Sequence, residues 1–329
     1  MSDYIQKFDT KIDLTDDTYP PQIVEVYPAE EEDFSREKSA VQWSNNDGYI
    51  VSIGNTFSTL EKGYYSIGIN SSIGLYFMKE NISLDKLYKL PNDATTSILN
   101  DIEKFWTLED VYKRYNRVFK RNYLLYSAPG TGKTSLINIM CQDLIEKYNG
   151  IVISLIDEEG ISLFPEAIKR IRAIEPKRKI IVVIEDIDNF VKIPRLNSKL
   201  LNILDGNLKT DNLVVIATTN YIETMEERYV NRPSRFDRVI EFPLPNEESR
   251  RVFIEKTVKP EDIEKINIDK WIEKTKGFTI DHINELIVQH LLFGMTEEET
   301  FENINKMVKN NSTLRNKTSI NKKNIGFDE

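Results

Sequence analysis

Apolar positions along the chain fall into two periods, and the boundaries between them sketch its elements. Tyr123–Tyr126, Ile151–Ile156, Ile180–Ile184 and Leu213–Ala217 are short apolar runs without strict alternation. That is the pattern of strands covered on both faces in a parallel sheet. Helical text separates them: Leu136, Ile137, Met140, Cys141, Leu144, Ile145 and Tyr148 recur at helical spacing, and Asn149-Gly150 carries a left-handed stop signal. Strand and helix in alternation predict an α/β core over residues 93–245. Ile98, Ile102, Phe105, Trp106 and Leu108 give that core an entering helix after the break at Pro91-Asn92-Asp93.

The flanks have other textures. Residues 1–40 hold eleven Asp or Glu against four Lys or Arg, with Pro20, Pro21 and Pro28, which reads as an acidic, weakly ordered arm. Over 41–92, Tyr49–Ile53, Tyr64–Ile69 and Ile73–Met78 lie between Gly48, Gly54, Gly63, Gly68 and Gly74. Aromatic and β-branched runs between glycine turns predict a small β-rich N-terminal domain. After Pro245 the pattern is helical again. Trp271–Lys276 and Ile280–Phe293, with Ile283, Leu286, Ile287 and His290 on one face of the second, predict a helical lid over 246–303. Residues 304–329 are rich in Asn and Lys and poor in apolar side chains, the composition of a mobile tail.

Chemistry concentrates where the first core strand meets its helix. Ser127-Ala128-Pro129-Gly130-Thr131-Gly132-Lys133-Thr134-Ser135 joins the two. Gly130 and Gly132 let backbone amides turn inward beside a helix N-terminus, which together make an anion site. Lys133 adds a fixed charge for β- and γ-phosphates, and Thr134 offers a hydroxyl to Mg²⁺. The phosphate-loop pattern has glycine first, and Ser127 stands there instead, where a left-handed turn would be strained. The run Ile180–Ile184 delivers Glu185 and Asp186 at its C-terminal end, where ligands sit in parallel sheets, with Asp188 close behind. One carboxylate can serve a Mg²⁺ shell and another can activate water. Asn220 follows the next strand, and Arg232, Arg235 and Arg238 lie three apart. Alone, such an Asn is a turn residue and such arginines are a solvated basic turn.

In order and interval, Lys133, Glu185, Asn220 and Arg235 suit an AAA+ module. Residues 97–295, about three-fifths of the chain, resemble the AAA ATPases. They are most similar to the mitochondrial translocases that assemble the Rieske subunit of respiratory complex III. Phe119-Lys120-Arg121-Asn122, Ile184-Glu185-Asp186-Ile187-Asp188 and Leu200-Leu201-Asn202-Ile203-Leu204-Asp205-Gly206 carry the likeness. The resemblance implies ATP and Mg²⁺ as cofactors, with Thr134 and Glu185 in the metal shell and Asp186 activating water. It implies Asn220 as a sensor, Arg235 as an arginine finger reaching a neighbouring copy, and Arg232 as its partner. It further implies a ring of six or seven subunits acting on a protein client.

Two features depart from the AAA majority, the first of them shared with the Rieske translocases. Most AAA proteins have Asp then Glu where this chain has Glu185 then Asp186. Threading relatives also carry an aromatic pore loop, and only Phe164 is available here. Phe164, Ile168 and Ile171 lie at helical spacing, which favours core over pore.

Composition narrows the field. A net charge of −9 with a pI near 5.1 argues against nucleic acid as the partner of the whole molecule. No apolar run approaches the roughly 18 residues of a membrane span, unlike the Rieske translocase. A single Cys141 excludes an internal disulfide framework, and a cytoplasmic setting is the simplest expectation. His282 and His290 have no cysteine near them, so a zinc site is not expected. The sequence thus predicts a ring-forming AAA ATPase that remodels or translocates a protein. A nucleotide-switched assembly platform with slow turnover is the alternative, and a nucleic-acid-handling machine a more distant one.

Overall fold

The computed structural model describes residues 42–46, 49–53, 57–80, 90–91, 93–205, 210–230, 232 and 235–309. The chain divides into two compact units, Met1–Thr59 and Leu60–Glu329. The described part of the first is an antiparallel hairpin of β1 (Gln42–Asn46) and β2 (Tyr49–Ile53), paired from Gln42↔Ile53 to Asn46↔Tyr49. The expected acidic arm (1–40) and the far tail (310–329) lie outside the described residues.

The second unit is built on a seven-stranded sheet. Its strands are β3 (Gly63–Asn70), β4 (Gly74–Glu80), β5 (Lys120–Tyr126), β6 (Ile151–Ser154), β7 (Ile180–Ile184), β8 (Leu213–Thr219) and β9 (Arg238–Glu241). Their order across the sheet is β4-β3-β6-β7-β8-β5-β9, and every pairing except β3–β4 is parallel. The uninterrupted apolar runs have their expected cause, since helices cover both faces. Alternate residues Tyr123, Leu125, Ile181, Val183, Val214 and Ile216 pack against α1 (Asp93–Trp106) and α3 (Lys133–Tyr148). Their neighbours Leu124, Val182, Ile184, Val215 and Ala217 face α4 (Glu158–Ile174) and α6 (Pro194–Leu204). Short helices α2 (Glu109–Arg114), α5 (Asp188–Val191) and α7 (Glu227–Val230) fill connections. Phe164, Ile168 and Ile171 are buried in this core, so Phe164 lines no pore.

One boundary moves. Within the expected N-terminal domain of 41–92, β3 and β4 extend the core sheet through parallel pairing of Gly63–Tyr65 with Ile151–Ile153. A buried clasp fixes this edge. Arg178 pairs with Glu175 at 3.2 Å, with side chains only 7% and 8% exposed. The Leu60 N–H donates to Glu175 Oε1 at 2.7 Å, and Arg178 Nη2 donates to the Leu60 carbonyl at 2.7 Å. Glycine-punctuated strand text reads the same whether strands form their own sheet or lengthen another. The deciding contacts are 115 and 118 residues distant in sequence.

The lid comprises α8 (Glu247–Thr257), α9 (Ile268–Lys274), α10 (Ile280–Ile287), a π-turn at Val288–Leu292 and a final helix, α11 (297–309). Asn246, Asn267 and Thr279 cap α8, α9 and α10 by accepting from backbone N–H groups. Trp271 is fully buried at the centre, ringed by Ile254, Ile283, Leu286, Phe301 and Ile304. The lid therefore runs past its expected end at 303, because Ile304 supplies an apolar anchor that the Asn- and Lys-rich composition masks.

Replacing Arg178 by Met strands the Glu175 carboxylate in a buried place. Urea unfolding should register a loss of about 3 kcal/mol. The Glu175→Met/Arg178→Met double variant should recover part of it, and a loss under about 0.5 kcal/mol in the single variant would show that the clasp does not hold the edge.

Candidate active site

The register of the sheet sets the site. β8 lies between β7 and β5, with Ala217 opposite both Ile184 and Leu124. The C-terminal tips of three strands therefore adjoin, bringing together the loop after Tyr126, the acids after Ile184 and the amide after Thr219. Gly130 (φ 76°) and Gly132 (φ 103°) adopt the left-handed backbone that glycine allows. Ser127 is not among the positive-φ residues, so serine meets no strain at the first loop position. Its hydroxyl instead joins the site.

Lys133 is buried, and its ammonium is ringed by oxygens. Nζ donates to Ser127 Oγ at 2.7 Å and Asn220 Oδ1 at 2.7 Å, with Ala128 O at 3.3 Å and Ser127 O at 3.4 Å. Asn220 Nδ2 in turn donates to Asp186 Oδ1 at 3.0 Å. Lysine, amide and acid are thus one linked chain across three strand tips. Thr134 Oγ1 donates to Glu185 Oε2 at 2.6 Å, which puts a hydroxyl and a carboxylate side by side.

The acid pair has an unusual backbone. Asp186 sits at φ 48°, in the left-handed region, where Asp is several-fold enriched and longer side chains are less at home. Its N–H is held by Thr218 Oγ1 at 3.0 Å, and the Ile187 N–H by Thr218 O at 2.9 Å. That backbone gives the inverted Glu185-Asp186 order a physical reason. Asp188, close behind, is buried and accepts from Thr219 Oγ1 at 2.7 Å. It ties α5 to β8 and faces away from the water-activating role.

The two arginines lie in different surroundings. Arg235, expected to reach a neighbouring copy, is 5% exposed and bound inside its own protomer. Nε meets Asp205 Oδ1 at 2.8 Å, Nη2 meets Asp205 Oδ2 at 3.3 Å, and Nη1 donates to Arg228 O at 2.5 Å. The Arg235 carbonyl also accepts from Asn122 Nδ2. Arg232 is exposed; its carbonyl accepts from the Arg235 N–H at 3.0 Å, and among the described residues its guanidinium makes no hydrogen bond or ion pair. Asp205 and the Arg228 carbonyl thus hold the Arg235 guanidinium within its own protomer, three residues from the exposed Arg232.

Sequence reading gave no role to Thr218 in β8, Asn122 in β5 or Asp205 at the end of α6, since each is an ordinary polar letter whose partner is distant in sequence. It also missed the lid's share of the site. Phe253 and Ile280 of the lid close with Thr131, Gly132 and Leu136 on a cavity of about 60 Å³. Burial pushes the Cys141 thiol up to about 12, so it stays protonated and chemically quiet. His282 is engaged in the Thr279 cap and His290 faces the Met295 carbonyl at 2.8 Å. The described residues contain no cluster of three or more His, Cys, Asp or Glu placed to hold a metal, and no helix long and apolar enough to cross a membrane.

Comparison with known proteins decides the kind of site. Residues 123–244 match the AAA family profile, "ATPase family associated with various cellular activities". Over these residues the chain is similar to an AAA ATPase domain. The match begins in β5 and ends past β9, so it contains Lys133, Glu185, Asp186, Asn220 and both Arg232 and Arg235. The chain is 31% identical over 175 residues to Protein HYPER-SENSITIVITY-RELATED 4 of Arabidopsis thaliana, covering 46% of this chain and 29% of that protein. It is 32% identical over 172 residues to an AAA-ATPase of the same plant, covering 47% and 33%. It is also 28% identical over 256 residues to a probable 26S proteasome regulatory subunit 4 of Caenorhabditis elegans, covering 70% and 58%. The chain thus spans about a third of the length of the plant relatives and more than half of the nematode one.

The two arginines of the AAA domain should separate by stability. Arg235→Ala leaves Asp205 without its partner and should cost about 3 kcal/mol in urea unfolding, whereas Arg232→Ala should stay within about 0.5 kcal/mol of the parent. Equal losses would contradict the division of roles.

Proposed function

We propose that the chain is a Mg²⁺-dependent ATPase that works as a ring and couples hydrolysis to remodelling of a protein client. The observation that carries this reading is the linked chain Lys133–Asn220–Asp186 beside the Thr134–Glu185 pair. In it, the loop amides and Lys133 bind the triphosphate. The hydroxyl of Thr134 and the carboxylate of Glu185 suit a hard cation that prefers oxygen ligands and keeps several waters. Bound there, Mg²⁺ would supply charge neutralisation across the β- and γ-phosphates. Asp186 accepts the proton of the attacking water, and the Asn220 amide orients its carboxylate. Arg232 reaches the γ-phosphate of the adjoining copy, and Arg235 holds its segment in place through Asp205.

The ring and the client are supported by the name of the nematode relative, a proteasome regulatory subunit, and by the likeness to the Rieske-assembling translocases. A second reading has its own support. Asp186 is one methylene shorter than Glu, and buried Phe164 leaves no aromatic at the expected pore position. Both favour a nucleotide-switched assembly platform in which slow turnover times oligomer formation or partner capture. Clamping the β1–β2 segment to the core would tell them apart: hydrolysis that stops supports remodelling, and hydrolysis that continues supports the platform.

Turnover and nucleotide affinity test the roles. Lys133→Ala should lose ATP binding in a fluorescent-nucleotide titration, and undiminished affinity would refute the loop assignment. Asp186→Asn should bind ATP but turn it over about 10²- to 10⁴-fold more slowly. Normal turnover would move the base to Glu185. Arg232→Ala should keep affinity yet lose about 10³-fold in turnover. Mixing it with Lys133→Ala subunits should restore part of the activity, and no restoration would argue against an arginine acting between copies.

A further inference from the structure

The first turn of the lid helix α10 lies directly on the phosphate loop. The Asp281 N–H donates to the Gly130 carbonyl at 3.1 Å. Its side chain covers the Gly130 α-carbon so closely that a Cβ there would stand 2.7 Å from Asp281 Oδ2 and 2.9 Å from both Cβ and Cγ. Gly130 is therefore glycine for two reasons, its φ of 76° and the carboxylate above it. A negative side chain is an unexpected neighbour for a loop that collects negative phosphates. Helix α10 explains why the fold tolerates it. Asp281 stands in the helix's first turn, where the dipole favours an anion.

The same contact keeps the base side closed. Ile280, the residue before Asp281, shares with Phe253, Thr131 and Gly132 a cavity of about 60 Å³. That is far below the roughly 300–1,000 Å³ of pockets that enclose ligands. Because Ile280 and Asp281 are consecutive, a shift of Ile280 away from this cavity would pull on the Asp281–Gly130 hydrogen bond. The charge next to the phosphates and the closure beside the base thus reside in adjacent residues of one helical turn.

We propose that Asp281 is an anionic latch on the phosphate loop, which sets nucleotide affinity by charge and is displaced, with the lid, by an incoming phosphate chain. The inference rests on the nucleotide reading above and adds a residue to it. Phosphates and the Asp281 carboxylate repel, so each further phosphate charge opposes the closed lid more strongly. The latch converts phosphate number into lid position, distinguishing ATP from ADP and AMP.

Asp281 is exposed and among the described residues its carboxylate accepts no hydrogen bond, so Asp281→Asn keeps the shape and removes only the charge. The test is competition of AMP, ADP and ATP against a fluorescent ATP analogue, without Mg²⁺, on the full chain and this variant. The variant should bind ATP about tenfold tighter, ADP with a smaller gain and AMP with little change. Added salt should shrink the differences. An Asp281→Ala variant should show the same order of gains. A uniform gain for all three ligands, or weaker ATP binding, overturns the proposal; weaker binding would mean that the carboxylate accepts a hydrogen bond from the nucleotide. If none of the three binds either the parent or the variants, the nucleotide reading itself has failed, a pattern distinct from every outcome above.

Discussion

The ammonium of Lys133 held among four oxygens is the constraint that organises the domain. A buried cation needs compensating acceptors at close range, and here they come from the loop after β5 and from Asn220 after β8. Those acceptors meet only if β8 pairs with β5 in the observed register. β7 pairs along the other flank of β8, which brings Glu185 and Asp186 alongside. Sheet order, strand burial and site chemistry are therefore one requirement. Helices on both faces keep the central strands dry, and the strand tips inherit a rigid base.

Much of this was legible because it is local. Apolar runs of strand length, helical spacing after Lys133 and the glycines of the loop all act within a few residues. Lys133, Thr134, Glu185, Asp186 and Asn220 could be named from such text, and the strand tips do bring them together. What stayed hidden depends on distant partners. Whether β3 and β4 form their own sheet is decided by Ile151–Ile153 and by the Glu175–Arg178 clasp. Whether Arg232 or Arg235 faces outward is decided by Asp205, thirty residues upstream of Arg235. Two arginines three apart carry no local mark of which one is tethered. Composition also misled at 304–309, where one buried Ile304 outweighs its polar neighbours.

Two departures from the AAA pattern acquire physical reasons in the folded chain. Ser127 replaces a glycine at a position that needs no left-handed backbone, and its hydroxyl becomes a ligand of the Lys133 ammonium. Asp186, second of the inverted acid pair, sits at φ 48°, a conformation that suits Asp. Each exchange trades a backbone property for a side-chain contact at the same end of the sheet. The lid adds a third element, since Asp281 and Ile280 bring α10 onto Gly130 and toward the base side together. One residue pair thereby ties the lid to the glycine loop.

The most direct measurement is an experimental structure of the chain assembled with Mg²⁺ and a non-hydrolysable ATP analogue. The account predicts the γ-phosphate within hydrogen-bond reach of Lys133 and Asn220, the cation between Thr134 and Glu185, and Arg232 of the adjoining copy on the same phosphate while Arg235 stays paired with Asp205. A triphosphate seated away from Lys133, or Arg235 released from Asp205 to reach across the interface, would contradict it.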